Sequence, residues 1–230
     1  MLGKSEDTFE QGQVLLLNKP LHWTSFDVVK RIRNIIGIRK VGHAGTLDPL
    51  ATGLLIVCTG RFTKKINEFM AQEKEYMGTF TLGATTPTYD LEGKPENFQS
   101  FEDISPQRIH ATAKKFIGEI LQIPPAHSAI KLKGKRVYEL ARKGKEVKLE
   151  PRKVLIKQFE ITSIALPVVG FRVICSTGTY IRSLANDFGT ELGCGAYLSS
   201  LCRTRVGAFK LEDATDILQL ENFLKSRTNT

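Results

Sequence analysis

No stretch of this 230-residue chain approaches the roughly 18 consecutive apolar residues that a membrane-spanning helix needs. Its start, MLGKSEDTFEQGQ, is polar and acidic and lacks the apolar core of a signal peptide. Both absences point to a cytoplasmic, reducing setting. Cysteine is scarce: Cys58, Cys175, Cys194 and Cys202 form no C-x-x-C pair. Three of them, Cys58, Cys175 and Cys202, sit in apolar or strand-like runs, which argues for buried reduced thiols over a zinc site or disulfides. There is no internal repeat and no low-complexity segment. The glycine-rich stretch GHAGTLDPLATG, residues 42–53, lacks the Gly-Lys-Ser/Thr ending of a phosphate-binding loop, which argues against nucleotide hydrolysis. Acidic residues are the minority charge: 24 Asp and Glu face 33 Lys and Arg, a formal net charge of +9. That balance favours a polyanion as partner, nucleic acid before an anionic membrane.

What is present suits one large domain. Hydrophobic residues make up 41% of the chain, enough for a substantial core. Residues 1–12 are expected to be a flexible tail and 13–230 a single catalytic domain. Residues 14–18 read as a short buried strand. Thr24-Ser25-Phe26-Asp27 matches a capping box ahead of Val28, Val29, Ile32, Ile35 and Ile36, which recur at helical spacing, and Gly37 is a natural stop. The stretch 42–53 reads as loop, 54–59 as strand, 63–70 as helix and 75–82 as an alternating strand. Ser105-Pro106 opens a helix to about residue 117. Strands are expected over 154–164, 168–175 and 197–209, and helices over 178–192 and 213–224. Strands and helices mix without a strict βαβ rhythm. The predicted class is therefore α+β, with a mixed, mostly antiparallel sheet and flanking helices.

Four stretches carry chemistry. Asp48 precedes Pro49, so its backbone is steered away from helical geometry. An Asp-Pro step can be a plain turn initiator; it also suits a carboxylate presented in one pose to a substrate. Arg182, in STGTYIRSLANDFG, sits about 200° around the helix from Tyr180 and so lies off the packed stripe. It reads as a surface arginine, or as a guanidinium awaiting a carboxylate that would offset its unfavourable place in an early helical turn. Tyr76, in EKEYMGTF, reads as a core aromatic or as a residue at a sheet end near a cleft. Residues 131–157 hold 11 Lys and Arg against three Glu. There Lys131, Lys133 and Lys135 alternate with apolar residues, and Arg142 follows. A basic arm with apolar footholds, about residues 124–152, is a common way to grip a phosphate backbone. A second basic cluster is Lys30, Arg31, Arg33, Arg39 and Lys40.

Together, LLLNKPLHWTSFDVVKRIR, VGHAGTLDPLATGLL, KEYMGTFTLGATTPTYDLEG, PPAHSAIKLKGKRVYELARKG, STGTYIRSLANDFG and YLSSLCRTRVGAF resemble, in order and spacing, the motifs of the TruB family of tRNA pseudouridine synthases. The match spans about residues 13–212. The resemblance implies a pseudouridine synthase fold with a basic RNA-binding insertion. It implies isomerisation of uridine 55 in the T-arm of tRNA: base flipping, cleavage at N1, and reattachment through C5. Neither metal nor organic cofactor is implied. The expected partner is tRNA alone, with no membrane and no required protein partner, for a monomer in the cytoplasm. By similarity, Asp48 is the catalytic aspartate, Arg182 its ion-pair partner, and Tyr76 stacks on the flipped base and is a catalytic candidate for deprotonating C5. His43 resembles the histidine at the flipping site and Leu201 the apolar residue beneath the base. The matching motifs also carry Lys19, Tyr180 and Arg203, expected among the RNA contacts with Lys131, Lys133 and Arg142. Burial would raise the pKa of an aspartate and a nearby guanidinium would lower it by ~1–3 units, so Asp48 and Arg182 read as one unit. Two departures stand out. His127 occupies a position where the family often has tyrosine. Only about 18 residues follow the last motif, too few for the C-terminal RNA-binding PUA domain that bacterial members commonly carry. A non-catalytic RNA-binding protein would explain the charge but leave Asp48 idle.

Overall fold

The computed structural model describes residues 8–125, 131–132, 135–136 and 149–228. In chain order the elements are β1 Val14–Lys19, α1 Ser25–Ile36, β2 Val41–Ala44, β3 Ala51–Thr59, a 3-10 turn Gly60–Lys65, α2 Ile66–Ala71 and β4 Lys74–Leu82. Then follow α3 Pro106–Lys115, β5 Gly118–Gln122, β6 Lys131–Leu132, β7 Lys135–Arg136, β8 Arg152–Ala165 and β9 Val168–Cys175. The chain ends with α4 Ile181–Leu192, β10 Ala196–Val206, β11 Phe209–Lys210, β12 Thr215–Asp216 and α5 Ile217–Thr228. Two compact units result: one holds the chain up to residue 76 and from 201 onward, the other residues 77–200. Strands β4 and β10 cross that division and contribute residues to both.

In the first unit β3 is central. β1 pairs with it antiparallel, Leu17 opposite Leu55. Its other edge is shared, by β10 running parallel with Leu201 opposite Ala51, and by β2 running antiparallel with Ala44 opposite Ile56. β12 extends β1 in parallel. Because β3 is covered on both faces, the run Leu54-Leu55-Ile56-Val57 shows no apolar–polar alternation. Leu55 and Val57 meet Val28, Val29, Ile32 and Ile36 of α1 together with Phe9 and Ile217. Leu54, Ile56 and Cys58 meet Val206, Phe62, Ile66 and Phe69. Each fully buried Val or Ile contributes about 1.5–3 kcal/mol, so α1 is held chiefly by this face. Its start is the capping box read from the sequence: the Thr24 hydroxyl accepts from the Asp27 N–H, and the Asp27 carboxylate accepts from the Thr24 N–H. Gly37 ends it in the left-handed region, φ 72°.

The second unit carries the strand order β10-β4-β9-β8-β5, with β8 antiparallel to both β9 and β5. α3 packs on β8 and against α4, and α4 reaches the sheet through Phe188, which meets Phe80 and Phe159. Its core is aromatic. Phe80 stacks on Phe171 at 4.2 Å between ring centroids, and Phe159 and Phe188 close around it. β6 and β7 form a separate two-stranded ladder, Lys131 opposite Arg136.

Several expectations are corrected. The stretch 42–53 is not loop throughout: Gly42 to Ala44 lie in β2 and Ala51 to Gly53 begin β3. The expected strand 197–209 breaks at Gly207, φ 56°, where a reversal makes β11 a hairpin partner of β10. The helix expected from 178 begins at Ile181, since Gly178 has φ 84°. The expected last helix starts later, at Ile217, after the short strand β12. Residues 8–12 are not tail: Phe9 is buried in the core and its carbonyl accepts from the Thr59 hydroxyl at 2.8 Å. Residues 1–7 lie outside the described residues.

Candidate active site

Residues 45–50, between β2 and β3, carry Asp48, and the loop is pinned from several directions. The Ser25 hydroxyl donates to the Leu47 carbonyl at 3.1 Å and accepts the Leu47 N–H at 2.9 Å. The Pro49 carbonyl accepts from the His22 N–H at 2.8 Å and from Lys19 Nζ at 3.4 Å. The Asp48 carbonyl accepts the Ala51 N–H at 3.0 Å, closing the turn. Arg203 donates through Nη2 to the Gly45 carbonyl at 3.0 Å and through Nε to the Leu54 carbonyl at 2.8 Å. The glycines have separate duties. Gly45 and Gly53 adopt φ 92° and 99°, and a Cβ at Gly53 would lie 2.4 Å from the Arg203 carbonyl oxygen. Asp48 itself remains partly exposed at the tip. Its neighbours Leu47 and Pro49 are tied down, which holds the backbone of Asp48 in one place, as a substrate-facing acid requires.

Two cations expected at the RNA surface are elsewhere. Lys19 and Arg203 are 0% and 1% exposed. Lys19 Nζ donates to the carbonyls of Pro20 at 2.8 Å and Trp23 at 2.5 Å, besides Pro49. Burial lowers its pKa to about 8, with the Asp48 and Asp27 carboxylates opposing that shift and Arg203 adding to it. Both side chains serve as buried struts of the Asp48 loop, since a charge taken out of water needs such partners. This corrects their assignment as RNA contacts.

His43 lies on β2 opposite Val57, partly buried. Burial and then the Arg203 charge hold its pKa below 6.5, against a backbone hydrogen bond at Gly45, so its imidazole is neutral at neutral pH. Leu201 sits opposite Ala51 and accepts a hydrogen bond at its carbonyl from the Thr52 hydroxyl at 3.3 Å. Tyr76 is the third residue of β4 and is 8% exposed.

The second unit carries Arg182 and Tyr180. Arg182 is the second residue of α4 and only 5% exposed, so the surface-arginine reading fails. The carboxylate beside it in this unit is Asp90: Arg182 Nε lies 3.6 Å from Asp90 Oδ2. Nη1 donates to the Thr88 carbonyl at 3.3 Å. The start of α4 is positioned from β5 by Gln122. Its side chain donates to the Tyr180 carbonyl at 3.0 Å and accepts the Tyr180 N–H at 2.7 Å. Ser183 adds a bond to the Ile123 carbonyl at 2.7 Å. With no capping side chain on Tyr180, these bonds supply the helix start with partners. Asp90, Thr88, Ser25 and Gln122 were not singled out from the sequence. The pattern T-x-D-x-E at 88–92 is a turn signal that identifies Asp90 in hindsight, because the Glu92 N–H bonds back to its side chain. Lys133, Arg142 and the side chain of Lys131 lie outside the described residues. Among the described residues no cluster of three or more His, Cys, Asp or Glu side chains is arranged to hold a metal. None of their helices is long and apolar enough to cross a membrane.

Residues 33–181 match the family model described as TruB family pseudouridylate synthase, N-terminal domain, and residues 182–229 match that of the tRNA pseudouridylate synthase B C-terminal domain. The chain belongs to the TruB family. The tRNA pseudouridine synthase B of Flavobacterium johnsoniae is 52% identical over 226 residues, covering 95% of this chain and 99% of that protein. The same enzyme of Bacteroides fragilis is 53% identical over 214 residues, covering 90% and 92%. Among solved structures, a chain of a Cbf5-Nop10-Gar1 complex is 32% identical with a TM-score of 0.75, covering 95% of this chain and 56% of that one. An H/ACA ribonucleoprotein bound to a substrate RNA containing 2'-deoxyuridine gives a chain 30% identical, TM-score 0.73, covering 96% and 57%. The chain therefore spans little more than half the length of these structural neighbours. As a TruB family member it has the pseudouridine synthase fold, and its motif-bearing residues Asp48, Tyr76 and Arg182 sit on the elements described above.

Proposed function

We propose that the protein converts uridine 55 in the T-arm of tRNA to pseudouridine, with Asp48 as the carboxylate that meets the flipped nucleoside. The observation that carries this reading is the Asp48 loop: an acid left partly exposed while Leu47 and Pro49 beside it are held by Ser25, His22 and Lys19. Family membership supplies the reaction class, and the named relatives supply tRNA as the substrate. Detaching the base develops positive charge on the sugar and negative charge on the uracil, so the carboxylate is useful in its ionised form. Arg182 supplies positive charge for that chemistry. Tyr76 stacks on the base and so offsets part of the few kcal/mol that extrusion costs. His43, neutral, fills the space the base vacates, and Leu201 lies beneath it. The basic residues around 124–152 hold the phosphate backbone, and the enzyme works on tRNA in the cytoplasm without a protein partner.

The test is tritium release from uridine labelled at C5 in a tRNA transcript. The wild type should release it, and Asp48→Asn should bind the transcript yet release none. Normal release by Asp48→Asn would remove Asp48 from the reaction. Binding without release by the wild type would leave a non-catalytic RNA-binding protein.

A further inference from the structure

The segment TTPTYDLEG, residues 85–93, is built around one hydroxyl. Thr88 Oγ1 donates to Asp90 Oδ1 at 2.6 Å and accepts the Gly93 N–H at 2.8 Å. A hydroxyl has a single proton, and the Asp90 main-chain oxygen, 3.2 Å away, is the poorer acceptor of it. That oxygen is served instead by the Thr86 hydroxyl at 2.8 Å. The Glu92 N–H adds a second donor to Asp90 Oδ1 at 3.0 Å, which leaves Oδ2 as the oxygen toward Arg182. The Thr88 carbonyl takes the other side of the guanidinium, through Nη1. Tyr89, between the two, stands at φ 63°, a left-handed conformation that is costly for a bulky residue. Its N–H donates to the Thr86 carbonyl at 3.1 Å, and its carbonyl accepts the Leu198 N–H at 2.9 Å. This reversal lets residues 88 and 90 address the same guanidinium.

We propose that Thr88 is a positioning residue of the reaction: its hydroxyl orients the Asp90 carboxylate, its carbonyl takes Nη1, and together they fix the direction of the Arg182 guanidinium. The inference rests on the reading of Arg182 as part of the catalytic machinery. A carboxylate so oriented holds its charge 3.6 Å from Arg182 Nε, at ion-pair range, while the Thr88 carbonyl supplies the directional bond to Nη1, and a charge held in place helps catalysis because it needs no reorganisation during the reaction. Thr88 is buried, at 8% exposure, so water cannot replace its hydroxyl freely.

The test compares Thr88→Val, which keeps the shape and removes the hydroxyl, with Thr88→Ser, which keeps the hydroxyl. Tritium release from C5-labelled tRNA, tRNA affinity and thermal unfolding are measured on both, with Asp48→Asn alongside. A lost hydrogen bond to a charged group corresponds to a fall in kcat of about 10- to 100-fold. That fall is expected for Thr88→Val with KM and tRNA affinity within about threefold, and Thr88→Ser should return to within about threefold of wild type. Wild-type kcat in Thr88→Val, with Asp48→Asn inactive, overturns the proposal and leaves the catalytic reading standing. Activity in Asp48→Asn overturns the catalytic reading itself. A Thr88→Val chain without a cooperative unfolding transition, or a Ser variant as slow as the Val variant, also overturns the proposal, because Thr88 would then serve folding or packing.

Discussion

Replacing Lys19 by methionine should change how stability depends on pH above neutrality, and the sign follows from burial. The folded-state pKa of Lys19 is lowered from 10.5 to about 8. Between those values the unfolded chain binds a proton that the folded chain has released, so stability rises with pH. Each unit is worth about 1.4 kcal/mol, which gives about 3 kcal/mol across the interval. Cys58 works in the opposite direction. Burial pushes its thiol from 9.0 up to about 11, so the unfolded chain ionises first and stability falls over that range. Burial also raises Cys194, with the same sign. Lys19 should therefore add about 1 kcal/mol between pH 8 and 9, of which the thiols take back part, and the wild-type curve should then level off as the two slopes oppose. Lys19→Met should show no such gain and should lose stability above pH 9.

The measurement is urea unfolding of both proteins at half-unit steps from pH 7.5 to 10.5, with midpoints compared at constant m. Lys19→Met loses three carbonyl partners, so a constant offset is expected in addition. What decides the matter is the change in the difference between the two curves, about 3 kcal/mol from pH 8 to 10.5. Parallel curves, offset but of equal slope, would refute the claim that a titrating ammonium is buried beneath the Asp48 loop.

Two further outcomes follow from the same loop. Ser25→Ala removes the hydroxyl that both donates to and accepts from Leu47; it should cost about 1–3 kcal/mol in urea unfolding and slow tritium release more than it weakens tRNA binding, and equal kcat in a destabilised variant would deny Leu47 a part in aiming Asp48. Gly53→Ala combines a φ of 99° with a Cβ 2.4 Å from the Arg203 carbonyl oxygen; it should cost more than the roughly 1 kcal/mol of an ordinary Gly-to-Ala strain, and a thermal midpoint within a degree of wild type would show that β3 and β10 can separate there without loss.

Much of the architecture was legible because local signals agreed. The Thr24–Asp27 capping box, the apolar stripe at 28, 29, 32 and 36, and Gly37 all specified α1, and the structure holds each of them. The Ser105-Pro106 start of α3 and the long strands β8 and β9 were equally plain. β2 was missed because two of the six residues 41–46 are glycine, a composition that normally signals loop. It is a strand because β3 offers it a free edge beyond Gly53, where pairing with β10 stops, a tertiary fact absent from local sequence. β5 was missed for a similar reason: Gly118 to Gln122 is short and its outward residues are mixed. The position of Asp48 in a constrained loop could be argued from Pro49 and the glycines. What fixes the loop could not, since Ser25, Lys19 and Arg203 come from three other elements.

The buried cations also change how the basic composition should be read. Lys19 and Arg203 were expected among the RNA contacts and Arg182 could be read as a surface arginine, yet all three are at most 5% exposed. The carbonyls that receive their protons belong to Pro20, Trp23, Pro49, Gly45, Leu54 and Thr88, four of them in the loops that carry Asp48 and Asp90 or at the start of β3. A carbonyl in an irregular loop has no ladder partner, and a buried one left without a partner is costly. A long cationic side chain can serve two or three such groups at once and bring several loop segments to a common point. Charge in this protein therefore has two uses that composition cannot separate. One is the field that attracts a polyanion, and it belongs to exposed residues such as Arg39, Lys40, Lys64 and Lys65. The other is internal, and it supplies hydrogen-bond donors to the irregular backbone of the segments that carry Asp48 and Asp90.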